Sequence, residues 1–202
     1  MNRYIFSFLL FFSLVPCLYV TAKTNDSQSV ARQMPTALIE NGIISAVERY
    51  NAGDFAGAVR LLEDIIAADP SVDAVHYYLG LCMVAENDID AAESELREAM
   101  RLDSSNFWYR YRLAVLYSVT GKEELTLAMF EDLVKDFPKK YELYYNMVEL
   151  YMASGQEEKA LETMDQIETV FGESEMTVMA RFDVLRKAGR EDEAYACLEE
   201  YN

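Results

Sequence analysis

Residues 73–106, DAVHYYLGLCMVAENDIDAAESELREAMRLDSSN, and residues 107–140, FWYRYRLAVLYSVTGKEELTLAMFEDLVKDFPKK, align without a gap over 34 positions. Gly80 meets Ala114, Asn87 meets Gly121 and Ala92 meets Thr126. Leu96 meets Phe130, and Ala99 meets Leu133. Each stretch reads as one apolar-periodic helix, a short turn and a second such helix. A fixed period of this length marks a stack of like supersecondary units.

The same frame extends both ways. Gly53, Asn87, Gly121, Gly155 and Gly189 form one column, placed where the first helix must stop. Gly and Asn accept the left-handed conformation that ends a helix. Ala58, Ala92, Thr126, Ala160 and Ala194 form a second column, one turn into the second helix. Facing it on the first helix are Ala46, Gly80, Ala114, Val148 and Phe182. Small residues there let the two helices approach, and Phe182 predicts a looser contact in the last unit. Behind them lie Leu62, Leu96, Phe130, Met164 and Leu198, then Ile65, Ala99, Leu133, Ile167 and Tyr201 three residues on. That spacing keeps both sets on one helix face. Pro70, Ser104, Pro138 and Gly172 close the units.

These residues resemble the tetratricopeptide repeat. The likeness is strongest from Leu79-Gly80 through Ala92 to Ala99, and from Leu113-Ala114 and Tyr117 through Phe130 to Pro138. It implies an all-α, right-handed superhelical solenoid of about five helix-turn-helix repeats, at residues 36–72, 73–106, 107–140, 141–174 and 175–202. The first unit departs slightly, with Tyr50 three residues before its glycine where Tyr117 and Tyr151 stand four before theirs. The resemblance also implies a protein-binding module without catalysis or cofactor. First helices would line a concave groove.

Within that implied groove, Tyr77, Tyr111 and Tyr145 share one repeat position, and Met179 continues the column. Trp108 borders Tyr111, while Glu149 and Asp183 follow one turn later. First helices at about 8–10 Å spacing would let such a ladder touch roughly every third residue of an extended peptide. The two acids suit a basic or amide-rich ligand. Tyr78, Tyr109, Tyr117, Tyr144 and Tyr151 read as filling between hairpins. Some relatives clamp a peptide carboxylate with Lys, Arg and Asn; here only Arg112 and Asn146 are of the right type, which is not a full set.

The N-terminus reads as a targeting segment. Asn2-Arg3 precedes an apolar, aromatic-rich run from Tyr4 to Val15, and Val20-Thr21-Ala22 offers a cleavage site. Residues 1–22 therefore predict a signal peptide and 23–35 a polar, flexible leader. The expectation is an exported, bacterial type of protein, periplasmic or attached to the cell envelope. Retention as an anchor is one alternative. Lipidation at Cys17 is another, although Pro16 is a poor residue before a lipidated cysteine.

Composition narrows the partners. The chain has 202 residues, 51% of them hydrophobic, and a formal charge of −17. Removing residues 1–22 takes away Arg3 and no acid, which leaves 17 basic against 35 acidic residues and a charge of −18. Such a chain does not suit nucleic acid, whose binding rests on Lys and Arg contacts to phosphate. Nor does it suit an anionic membrane surface, and no direct membrane binding is expected unless Cys17 is lipidated or the N-terminal segment is retained as an anchor. The expected partner is a protein or peptide; the acidity itself reads first as solubility, with attraction of a basic partner as the alternative.

Chemistry-bearing motifs are few. The single histidine, His76, sits where a packing residue is expected. Neither a phosphate loop nor a His-x-x-x-His metal spacing occurs. Glu123-Glu124, Glu157-Glu158 and Glu199-Glu200 read as solvated faces. Cys82 and Cys197 read as thiols within helices. At the C-terminus Leu198 and Tyr201 leave an outer helix face without a capping helix. That predicts self-association, partner docking, or sequence beyond Asn202. The competing functions are a structural spacer or assembly subunit of an envelope complex, and the N-terminal part of a larger protein whose active region is absent.

Overall fold

A computed structural model describes residues 34–201. Among them are ten helices and no strand, so the all-α expectation holds. The helices are α1 (Thr36–Asn51), α2 (Phe55–Ala68), α3 (Asp73–Ala85), α4 (Ile89–Leu102) and α5 (Phe107–Val119). They continue as α6 (Glu123–Asp136), α7 (Tyr141–Ala153), α8 (Glu157–Phe171), α9 (Glu175–Lys187) and α10 (Glu191–Tyr201). The readings of a signal peptide, a lipidated Cys17 and most of the leader fall outside the described residues.

One backbone device ends the first helix of every pair. Asn87 has φ 62°, and Gly53, Gly121, Gly155 and Gly189 have φ from 70° to 79°. Each of these residues donates its N–H to the carbonyl three residues back, as Gly121 does to Ser118 at 3.3 Å. The next residue donates to the carbonyl five back, as Lys122 does to Tyr117 at 2.9 Å. The last carbonyls of the helix are thereby satisfied and the chain reverses within three residues.

Second helices start in different ways. Asp54 and Asp88 accept from the N–H groups of Gly57 at 2.9 Å and Ala91 at 3.2 Å, capping α2 and α4. The Arg49 guanidinium, and then the Gly57 N–H, hold the Asp54 carboxyl below its usual range. Lys122 and Gln156 stand at the same place before α6 and α8 without a side-chain cap. Acids in the first turn of each helix, Glu123-Glu124 and Glu157-Glu158, favour the helix dipole instead.

The described residues form two compact units, which part between Leu113 and Ala114. In the first, Ile43, Ala46, Ala58, Leu62, Ile65, Val75, Leu79 and Cys82 make one buried cluster. Met34, at the end of the stretch read as leader, packs on it. A Cβ on Gly80 would lie 2.7 Å from Cγ of Leu96, which explains the smallest side chain where α3 meets α4. His76 is buried, with Nδ1 2.7 Å from a Glu95 carboxylate oxygen and Nε2 3.1 Å from the Pro70 carbonyl. It ties α3 to α4 and to the turn before α3, the packing role expected of it.

In the second unit Ala114, Phe130, Leu133, Val148, Ala160, Met164 and Ile167 are buried and carry the same columns. Thr126 fits the alanine column because its hydroxyl donates to the Lys122 carbonyl at 3.0 Å, which hides the polar group within its own helix. Full burial of each large column residue contributes about 1.5–3 kcal/mol. The columns weaken in the last pair. Phe182 and Leu198 are half-buried, and Tyr201 is exposed.

A further column breaks there. Leu79, Leu113 and Met147 are buried at 34-residue intervals, and the next member is Arg181. Its guanidinium turns to α8, where Nε donates to Glu168 at 2.6 Å and a terminal nitrogen pairs with Asp165. A polar clasp thus replaces a leucine-type contact between α8 and α9.

Candidate functional site on α7 and α9

The seven residues expected to line a groove do not share one environment. In the first unit Tyr111 is 2% exposed, with its ring stacked on Phe107 at 5.3 Å and edge-on to Trp108. The expected ladder of three exposed tyrosines is therefore corrected. Tyr111 is a core residue because the residue one turn before it is a buried Phe that draws its ring inward. Tyr77 is half-buried against Tyr78 at 5.2 Å and Tyr109 at 5.0 Å. Tyr109 is buried, and its hydroxyl donates to Asp73 at 3.1 Å. Trp108 is half-buried.

In the second unit the expectation meets a surface. Tyr145 is 43% exposed and Met179 44% exposed. Asp183 is exposed and Glu149 is half-buried. Along α7, Tyr141, Tyr145 and Glu149 recur every four residues. Along α9, Met176, Met179, Asp183 and Lys187 do so at three- and four-residue steps. Each set therefore lines one helix face. Lys187 joins the rows through an ion pair with Glu149 at 3.3 Å. Burial of the Tyr145 ring, followed by the Glu149 carboxylate, pushes its phenol above the usual range. Lys187 lowers that phenol and Asp183 raises it, so both lie within electrostatic reach of Tyr145.

Three members of this strip escaped the sequence reading. Tyr141 stacks on Tyr145 at 6.5 Å, and Phe171 meets Tyr141 edge-on at 5.5 Å. Met176 is 61% exposed at the start of α9. The signal was present, since Tyr141 lies four residues before Tyr145 and Met176 three before Met179. The strip is thus aromatic and methionine-rich at one end and charged at the other. Tyrosine offers an apolar face with a polar tip, and methionine adapts to irregular partners.

Other chemistry is sparse. Asn146, half of the incomplete carboxylate clamp, is buried. Cys82 and Cys197 are free thiols; burial pushes Cys82 up to about 11. Among the described residues no group of His, Cys, Asp and Glu is arranged to hold a metal ion. None of the described helices is long and apolar enough to cross a membrane.

The family model described as tetratricopeptide repeat matches residues 50–106 and 120–175, more than half of the chain. Among curated proteins, DnaJ homolog subfamily C member 3 of Gallus gallus is 25% identical over 130 residues, covering 60% of this chain and 26% of the relative. Superkiller complex protein 3 of Homo sapiens is 27% identical over 101 residues, covering 50% of this chain and 6% of the relative. The chain therefore spans about a quarter or less of those relatives. Among solved structures, MamA from Desulfovibrio magneticus RS-1 superposes with TM-score 0.66 at 16% identity, covering 81% of this chain and 92% of that one. YrrB, described as a TPR protein with an unusual peptide-binding site, superposes with TM-score 0.62 at 15% identity, covering 81% and 88%. With its columns, its repeated turns and the matched residues in agreement, the chain belongs to the tetratricopeptide repeat family.

Proposed function

We propose that this protein is a non-enzymatic interaction module that holds a segment of a partner protein against the α7–α9 strip. The observation that carries this reading is the run of exposed Tyr145, Met176 and Met179 with half-buried Tyr141, leading into Glu149, Asp183 and Lys187. Large side chains left exposed side by side on a folded domain mark an interaction surface. The charged end supplies register and orientation, and an apolar residue followed by a basic one is the ligand pattern that fits. The peptide-binding site described for YrrB supports this reading by analogy of fold.

A Tyr145→Ala/Met179→Ala double variant tests it. Both side chains are exposed, so the fold should survive, while partner capture should fall at least tenfold. Unchanged capture would move the interaction to another surface. A spacer or assembly role then becomes the better reading, favoured by Tyr195 and Tyr201 standing exposed on α10.

Export is part of the same proposal. The basic head, apolar run and Val20-Thr21-Ala22 support a periplasmic or envelope-associated protein. Mass measurement of the mature chain should find Lys23 first. A chain retaining Met1 would contradict cleavage.

A further inference from the structure

By helical phase, the face of α9 opposite the strip carries Val178, Arg181 and Leu185, and it floors an open cleft of about 560 Å³ between α8 and α10. The helices present matching stripes at three- and four-residue steps: Glu158, Leu161, Glu162 and Asp165 on α8, and Glu193, Ala196, Cys197 and Glu200 on α10. Leu161, Val178 and Leu185 are all buried, each 8% exposed or less, and make an apolar floor. The cleft sits where the leucine column fails, since Arg181 leans onto α8 instead of filling this space.

Charge decides what fits. Seven carboxylates and two guanidinium groups line the cleft, a balance of −5. Both arginines are engaged, Arg181 with Asp165 and Glu168, and Arg190 with Glu158 at 3.1 Å and Glu193 at 2.6 Å. The rim therefore already holds two guanidinium groups of its own chain, each between two carboxylates. Glu162, Glu173 and Glu200 also line the cleft and form no ion pair among the described residues. An anion would meet repulsion there. A long basic side chain matches, because its alkyl stem covers apolar surface while its charged head stays among acids.

We propose that the α8–α10 cleft is a second docking site, taking a lysine or arginine side chain of a partner protein. It does not rest on the α7–α9 strip. Calorimetric titration of the full chain with hexalysine at 0.15 M salt tests it, since the peptide supplies the chemistry without a named partner. A Glu162→Gln/Glu200→Gln variant should bind at least fivefold more weakly. Glu48→Gln/Glu63→Gln removes the same charge from exposed sites on α1 and α2 and should bind as the wild type does. Ala196→Trp, which fills the cleft without altering charge, should also weaken binding at least fivefold. Equal weakening by both glutamine pairs would assign the binding to overall acidity and overturn the proposal. Wild-type affinity in Ala196→Trp, or no hexalysine binding at all, would overturn it too. The Tyr145→Ala/Met179→Ala variant should keep hexalysine binding, which separates a failure of this site from a failure of the strip.

Discussion

Phe130→Ala should lower the stability of the unit formed by residues 114–202 by about 3–5 kcal/mol. Phe130 is 1% exposed and fills its column on α6, next to the fully buried Leu133. Alanine leaves a cavity that neighbouring helices close only in part, because their spacing is set by the small column at Ala114 and Thr126. The loss should spread beyond α6, since each hairpin in a repeat array is stabilised by its neighbours. Phe130→Leu should cost less than half as much, because Leu62 and Leu96 fill the same column elsewhere. Urea unfolding followed by helical circular dichroism measures both. A loss under about 1 kcal/mol for the alanine variant would show that the column does not carry the packing.

Arg181→Ala should cost about 2–3 kcal/mol, the scale of hydrogen bonds to a charged group. The Arg181 side chain is 19% exposed, and the removal strands Glu168 beside an apolar interface. Asp165 remains well exposed and keeps its water, so the cost stays below that of a fully buried pair. Arg181→Leu should be near neutral, because it restores the residue type of Leu79 and Leu113 and fills the gap with apolar surface. Comparing the two variants in thermal unfolding separates the clasp from the volume it occupies. If leucine were as harmful as alanine, the ion pairs themselves would hold α9 to α8. If neither mattered, this junction would contribute little to the array.

The difference between columns that could be read and columns that could not has a physical cause. Gly53, Asn87 and their equivalents are fixed by backbone conformation, and Ala58 and its equivalents by helix separation. Both are constraints on one position, so a period in the sequence exposes them. Tyr77, Tyr111 and Tyr145 share an angular position around their helices but not a neighbourhood. Four residues earlier stand Asp73, Phe107 and Tyr141, and that difference buries one ring and leaves another in solvent. A repeat position specifies direction, whereas burial depends on what stands beside it. Arg181 was legible as a break in the leucine column, but its partners Asp165 and Glu168 lie in another hairpin. The strip on α7 and α9 was therefore partly visible: Tyr145, Glu149, Met179 and Asp183 could be named, Tyr141 and Met176 stand in the same helical register and went unread, and Phe171 needed the packing.

Site-specific photo-crosslinking tests the central claim most directly. A benzophenone side chain at position 145 or 179, on the strip, is compared with one at position 195 on α10, where Tyr195 is at least as exposed as Tyr145. Positions 145 and 179 should yield the same crosslinked partner, and position 195 should not. The account would be contradicted by that partner crosslinking from position 195 while positions 145 and 179 stay silent.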